Sequence, residues 1–266
     1  DYAFNILDSV DKNGIIFTNG DNDTFPLWFL QAVPKIRTDV RIVNLSLLNT
    51  PWYIKQIKRM GVPINMTDEQ IDRLRPHMDP TTGKLVRVQD IMVEHIINNT
   101  PVRVEIDSAT GDTNYVLDPP VFFAVTVAPE NKVGYDPYLI MEGLVYRVLT
   151  TKNHPAVDIE KMRYNLLNRY KYRGLTDTTI YKDENARKLL QNYTTGFITL
   201  AYEYRRQNDT ANALEVIDKM NELLPFEWRA NSFSAEFNSW AGRWDKVDSL
   251  YQIALHHIKR EHPMEK

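Results

Sequence analysis

The sequence predicts an α/β protein, in which a Rossmann-like domain with a mostly parallel sheet is followed by an all-α helical module. In residues 1–150, short apolar runs alternate with amphipathic stretches, an order typical of β-α-β units with parallel strands. In residues 185–266, helical segments repeat at an offset of 34 residues. A chain of 266 residues can bury the cores of both domains, and residues 151–184 are predicted as a linker and connecting helix.

The first half opens with two strand-helix pairs. We predict strands over Ile15–Thr18 and Arg41–Leu48, because both are short apolar runs bounded by turn residues. The stretches Phe25–Val33 and Trp52–Met60 have helical periodicity. A further helix is predicted to begin at Thr67–Gln70, which has the pattern of a capping box.

The rest of the first half supplies another helix and more strands. Val88–Ile97 predicts an amphipathic helix, and Val102–Ile106 alternates apolar and charged residues as a half-exposed strand does. Asp107–Pro120 is predicted as a loop or hairpin. Val121–Val127 is a near-continuous apolar run, which is typical of a buried central strand. Tyr138–Val148 fits helical and strand spacing equally well.

The repeat in the second half indicates tetratricopeptide-like helical hairpins. Small or apolar residues recur where paired helices approach closely, and Pro225 closes the first unit. The matched positions are Ala201 and Ala235, Tyr204 and Asn238, Asn208 and Gly242, Ala213 and Val247, and Ile217 and Tyr251.

Composition excludes several functional classes. The chain has 32 basic and 35 acidic residues, a net charge of -3, and no basic run with interleaved aromatics, so we expect no nucleic-acid partner. The absence of cysteine excludes disulfides, thiolate nucleophiles and cysteine-ligated zinc. No glycine-rich phosphate loop, dinucleotide fingerprint or His-Glu-x-x-His sequence occurs, and we expect no organic cofactor.

Polar residues follow the first two predicted strands and form a candidate ligand cleft. In open α/β sheets, ligands bind at the carboxyl ends of the strands. The aromatic rings of Trp28 and Trp52 could wall such a cleft and stack on a sugar. The candidate cleft residues are Asp21, Asn22, Asp23, Asn44, Ser46, Asn49, Thr50 and Trp52.

Two interpretations of these residues stay open. Asp21 and Asp23 form an Asp-x-Asp pattern of hard oxygen ligands, which suits a divalent cation held against a diphosphate. The same run is also ordinary turn and helix N-cap material. Similarly, Asn49-Thr50-Pro51 could simply start the next helix, with Pro51 in its first turn.

Four segments carry a resemblance to a known family. Gly20–Leu30, Val43–Ile54, Phe122–Val127 and Met141–Arg147 resemble the soluble part of a bacterial membrane-protein family known as domain of unknown function 2723. That family is related to the transmembrane protein 260 class of protein O-mannosyltransferases, whose catalytic acidic residues lie in loops of a multi-helix membrane region. The resemblance implies a soluble accessory portion without catalytic residues of its own.

The resemblance also implies a place and partners. The chain would lie on the periplasmic or lumenal side, tethered through a transmembrane region outside these residues, and would position a polypeptide acceptor or a partner protein. Two alternatives remain. One is a metal-dependent sugar- or phosphate-handling enzyme that uses Asp21 and Asp23, and the other is a purely structural protein-interaction module.

Overall fold

The structure, a computed structural model, describes residues 1–106, 111, 113–177, 179–225 and 227–261. The chain divides into two compact units. Ala3–Ala156 forms the α/β unit, and the chain from Val157 onward, together with Asp1 and Tyr2, forms the helical unit. The described residues contain no helix that is both long and apolar enough to cross a membrane.

The α/β unit contains five helices and nine strands in its described residues. The helices are α1 Tyr2–Ser9, α2 Asp21–Ala32, α3 Pro51–Arg59, α4 Asp68–Asp72 and α5 Val88–Asn99. The strands are β1 Ile15–Thr18, β2 Arg41–Asn44, β3 His77–Met78, β4 Leu85–Val86, β5 Val102–Ile106, β6 Thr113–Leu117, β7 Val121–Ala124, β8 Leu139–Met141 and β9 Val145–Val148.

Five strands form the main sheet, in the order β2-β1-β7-β9-β8. β1 pairs in parallel with β2, with Ile15 opposite Arg41, and in parallel with β7, with Ile15 opposite Val121. Every side chain of β1 and β7 is buried, as expected for strands in the middle of a sheet. The prediction of a buried central strand after Pro120 is therefore confirmed.

The sheet is mixed, so the prediction of a mostly parallel sheet is wrong. β9 pairs antiparallel with β7 and with β8. The physical reason lies in the connection between β8 and β9, because three residues cannot provide the long crossover that parallel strands require. The ambiguous segment Tyr138–Val148 is thus a β-hairpin.

Most local predictions for this unit are confirmed, with shifted ends. β2 ends at Asn44 rather than Leu48, because the chain then turns into a 3-10 helix over Leu47–Asn49. Thr67 caps α4 through the amide of Gln70 at 3.2 Å.

β5 lies outside the main sheet and pairs only with β6 among the described strands. All five of its residues are exposed, more than the half-exposed strand predicted. The predicted loop or hairpin over Asp107–Pro120 therefore includes β6, and its residues 107–110 and 112 lie outside the described part of the chain.

The helical unit contains a short helix and two helix pairs. These are α6 Ile159–Tyr164, continued by a π-helical turn over Asn165–Arg169, then α7 Glu184–Arg206, α8 Thr210–Leu223, α9 Trp228–Trp240 and α10 Trp244–Glu261. α7 packs on α8, α8 on α9 and α9 on α10. Together with the α/β unit, the described chain is mixed α/β with a mostly helical second half.

Positions 34 residues apart occupy equivalent places in the two helix pairs. Ala201 and Ala235 are both fully buried at the helix contacts. Asn208 and Gly242 both have positive φ, 59° and 74°, where α7 turns into α8 and α9 into α10. The next amide donates to the carbonyl of Tyr204 or Asn238, at 2.9 and 2.8 Å. The repeat in the sequence therefore corresponds to a repeat in the backbone.

Candidate functional site

The loop between β1 and α2 is held by the carboxylate of Asp23. This side chain accepts hydrogen bonds from the backbone amides of Asn19, at 2.8 Å, and Gly20, at 3.0 Å. It also accepts a hydrogen bond from the hydroxyl of Thr126, which follows β7. Asp23 is 3% exposed. Its oxygens therefore satisfy orphan amides at the start of a helix and connect two neighbouring strand ends.

Asn44, at the end of β2, is also buried, and its side chain also makes hydrogen bonds to neighbouring groups. Its amide nitrogen donates to the carbonyl of Gly20 at 3.0 Å and to the hydroxyl of Thr24 at 2.9 Å. Its side-chain oxygen accepts from the amide of Leu47 at 2.9 Å, which fixes the turn after the strand. The backbone amide of Asn44 donates to the hydroxyl of Tyr53, and burial raises the pKa of that tyrosine to about 12.

Five polar residues close a ring of hydrogen bonds across the carboxyl ends of β1, β2 and β7, and we call it the amide ring. Its members are Asn19, Ser46, Asn49, Gln89 and Asn131. Their bonds are, in order around the ring, Ser46 Oγ to Asn19 O at 3.1 Å, Asn49 Nδ2 to Ser46 O at 3.2 Å, Asn49 Nδ2 to Gln89 Oε1 at 2.8 Å, Gln89 Nε2 to Asn131 Oδ1 at 3.2 Å, and Asn131 Nδ2 to Asn19 Oδ1 at 3.0 Å.

The first turn of α5 completes this arrangement. Gln89 also donates its backbone amide to Asn49 Oδ1 at 3.1 Å. Arg87 donates to Asn131 Oδ1 at 2.8 Å and forms a two-point ion pair with Asp90 at 2.8 and 2.9 Å. The amide ring therefore ties α5 to the strand ends, and the polar atoms that hold it are engaged with one another.

The remaining predicted cleft residues lie around the amide ring. Asp21 and Asn22 are exposed at the start of α2, and one oxygen of Asp21 accepts from the amide of Asn22 at 2.9 Å. Pro51 begins α3, as predicted, while the Thr50 hydroxyl donates to the carbonyl of Leu47 at 2.7 Å. Trp52 is 57% exposed and contacts Tyr53, with the ring centroids 5.6 Å apart.

The polar groups at this edge of the sheet act as helix caps or hydrogen-bond to one another. Asp23 accepts from two backbone amides and the hydroxyl of Thr126, and Asp90 accepts from the backbone amide and the guanidinium of Arg87. The members of the amide ring are neutral. Within the described residues, no group of three or more histidine, cysteine, aspartate or glutamate side chains could hold a metal ion. The divalent cation at Asp21 and Asp23 stays a prediction.

Several residues of this edge did not figure among the predicted cleft residues, among them Asn19, Arg87, Gln89, Thr126 and Asn131. The strand-end rule could have indicated Asn131, because it follows the apolar run that was predicted as a central strand, whereas Thr126 lies inside that run. Gln89 offered no comparable signal, since it lies inside a stretch identified only by helical periodicity.

A second candidate site is a hollow in the helical unit. Its volume is about 400 Å³, within the usual range for a small-ligand pocket. The segment before α7 borders it with Ile180 and Tyr181, which are 49% and 85% exposed. Leu190 of α7, Leu223 of α8 and Leu224 are among its other apolar residues. Charged residues of both signs also line the hollow: Asp177, Lys182, Arg187 and Glu227.

The fold and these sites define a protein with an α/β unit, whose strand edge is held by hydrogen bonds, and a helical unit that contains an apolar hollow. Residues 1–110 match the family described as TMEM260-associated domain 2. No curated protein and no solved structure matches the chain. The family match supports a relation to the transmembrane protein 260 class and includes two of the four segments that carried the resemblance.

Proposed function

We propose that the chain is an accessory portion of a membrane-bound, glycosyltransferase-like protein related to the protein O-mannosyltransferases, and that its helical unit binds a polypeptide acceptor or partner. The observation that carries this proposal is the match of residues 1–110 to a domain named for its association with TMEM260. The proposal places the chain on the periplasmic or lumenal side of a membrane, tethered by the transmembrane region of the same protein.

The geometry of the α/β unit supports an accessory role. The carboxylates of Asp23 and Asp90 serve as helix caps, and the amide ring engages Ser46 and Asn49, two of the polar residues that the sequence indicated as a ligand cleft. We propose that this Rossmann-like unit provides a stable base, and that its strand edge fixes loops in place.

The helical unit supports the acceptor-binding part of the proposal. Its helix pairs repeat at 34 residues, as in tetratricopeptide-like proteins, and such repeats commonly bind extended polypeptides. The hollow combines an apolar lining with charged side chains of both signs, Lys182 and Arg187 beside Asp177 and Glu227. An apolar side chain of an acceptor would fit the lining, while polar groups next to it would meet these charged side chains.

The test is binding of fluorescein-labelled 15-residue peptides that contain serine, threonine, leucine and aspartate, measured by fluorescence anisotropy with the full 266-residue chain. We expect Ile180→Asp and Tyr181→Asp each to weaken binding at least tenfold, because both residues border the hollow and are exposed enough to be replaced without unfolding. The matched control is Trp244→Asp, at another exposed aromatic of the helical unit.

The opposite results would count against the proposal. Unchanged affinity in both hollow variants would remove the hollow from acceptor binding. Loss of affinity in Trp244→Asp alone would move the binding surface to α10. Titration with Mg²⁺ and Mn²⁺ by calorimetry, with Asp21→Asn and Asp23→Asn as paired variants, tests the metal-dependent alternative: heat of binding that both variants abolish would favour an enzyme at the strand edge.

A further inference from the structure

A stripe of apolar side chains lies on the solvent side of α2. Phe25, Phe29 and Val33 follow one another at a spacing of four residues, and their exposed fractions are 55%, 59% and 65%. The opposite side of the helix buries Thr24 and Leu27 completely. Residues four apart lie on one face of a helix, so α2 packs one face into the unit and presents a second apolar face outward.

Aromatic contacts link this stripe to Trp52 through the buried ring of Tyr53. The ring centroid of Phe25 lies 5.6 Å from that of Trp28, and Trp28 lies 6.5 Å from Tyr53. Tyr53 in turn contacts Trp52, which is 57% exposed. We call Phe25, Trp28, Phe29, Val33 and Trp52 the α2 surface. Apolar patches of this kind on a single chain commonly mark interaction sites.

Opposite charges lie at the two ends of the α2 surface. Asp21 is exposed at the start of α2, four residues before Phe25 and on the same face. Lys35 is exposed just beyond the other end of the helix. Neither residue has an ion-pair partner within the part of the chain that the structure describes. The surface therefore has an acidic end, an apolar middle and a basic end.

The order of charges along the α2 surface is complementary to that of a second copy in the opposite direction. If two copies oppose their α2 helices in antiparallel directions, the acidic end of each copy meets the basic end of the other. The dipoles of the two helices then also run in opposite directions, which is favourable. Rows of residues spaced by four are the ridges that interdigitate in the commonest class of helix packing. A surface that is complementary to itself suits a two-fold symmetric contact.

Charge argues against a membrane as the occupant. An anionic bilayer surface attracts segments with an excess of lysine and arginine. Near the α2 surface, Lys55 and Lys58 of α3 are paired with Asp72 and Asp68, at 2.7 and 3.2 Å. The charges of Asp21 and Lys35 offset one another, and the chain as a whole carries -3.

We propose that the α2 surface is the interface of a homodimer, in which two copies pack α2 against α2 about a two-fold axis near Phe29, with Asp21 of each copy opposite Lys35 of the other. A single helix face makes a small interface, so we expect the dimer to be weak and to dissociate on dilution.

The experiment is sedimentation equilibrium of the 266-residue chain from about 1 to 500 μM at low salt, a range chosen to bracket that weak affinity. We expect a monomer-dimer equilibrium in the unaltered chain and at least a tenfold larger dissociation constant in Phe29→Asp. The matched control is Ile106→Asp, on the separate β5 hairpin, where the side chain is 71% exposed. That control should dimerise like the unaltered chain.

A charge exchange distinguishes this dimer from other uses of the same surface. We expect Asp21→Lys and Lys35→Asp each to weaken the dimer several-fold, and the double variant to restore the original affinity within about twofold, because the exchanged charges again meet across the axis. A chain that stays monomeric at 500 μM, a control variant that also dissociates, or a double variant weaker than either single one would overturn the proposal.

Discussion

In the α/β unit the polar side chains at the strand ends bond to one another, whereas in the helical unit apolar side chains border an open hollow. The strand edge satisfies its own donors and acceptors, so a ligand there would have to displace bonds that already exist. The hollow has no such competition, because burying an exposed apolar side chain of a partner removes apolar surface from water on both sides. This difference favours a structural role for the α/β unit and a ligand-binding role for the helical unit.

The largest expected effect tests how strongly the stability of the α/β unit depends on buried polar groups that pair with each other. Arg147 donates to Glu142 at 2.6 Å and lies over the ring of Phe122, with the guanidinium carbon 4.5 Å from the centroid. The Glu142 side chain is 2% exposed. Arg147→Ala would leave that carboxylate buried without its main partner, and we expect a loss of about 3–5 kcal/mol in the free energy of unfolding.

Urea unfolding followed by hydrogen exchange of peptides from each unit measures this loss. The matched control is Lys188→Ala, because the pair of Lys188 and Glu184 is exposed and 2.7 Å apart, and should cost less than about 0.5 kcal/mol. The double variant Arg147→Met with Glu142→Leu should lose less than Arg147→Ala alone. Equal losses for the buried and the exposed pair would contradict the contrast between the two units.

The next effect concerns the strand edge itself. Asp23→Ala removes the acceptor for the amides of Asn19 and Gly20 and for the hydroxyl of Thr126, and we expect a loss of about 1–3 kcal/mol. Hydrogen exchange should rise first in the turn between β1 and α2. Asp21→Ala, at an exposed position two residues earlier, should cost less than about 0.5 kcal/mol. A larger loss in Asp21→Ala would reverse the structural roles assigned to the two carboxylates.

A smaller effect tests whether the two helix pairs are equivalent. Gly242 has a φ of 74°, and a Cβ there would meet no atom within 4 Å, so Gly242→Ala should cost about 1 kcal/mol through backbone conformation alone. Asn208 has the same left-handed conformation, and Asn208→Gly should leave stability unchanged or slightly raised. Thermal unfolding measures both. A clear loss in Asn208→Gly would indicate that its side chain, rather than its backbone, determines that turn.

The sequence predicts these two regions to different degrees for a physical reason. Local patterns suffice for the buried run of β1 and the cap at Thr67, because each depends on neighbours in the chain, and the 34-residue repeat suffices to match Asn208 with Gly242. The amide ring depends on Gln89 meeting Asn49, 40 residues away, through neutral groups that leave no periodic pattern. The hairpin of β8 and β9 was ambiguous in the sequence, because the eleven residues Tyr138–Val148 fit the period of a helix and the period of a strand equally well.

The smallest effect is a dependence of stability on pH within the α/β unit. Burial lowers the pKa of His95, whose ring nitrogen accepts from the amide of Asn65 at 3.3 Å. Above the ordinary histidine pKa of about 6.5, the ring is neutral in both states and this contribution to stability is fully present. As the pH falls below that value, the unfolded chain binds the proton first, so stability decreases until the folded-state pKa is passed. His95→Gln keeps an acceptor for Asn65 and should flatten this part of the curve, whereas His154→Gln, at a histidine between β9 and α6, serves as the control. Urea unfolding between pH 8 and pH 5 measures the slope, and an equal slope in His95→Gln and the unaltered chain would assign the acid sensitivity to other groups.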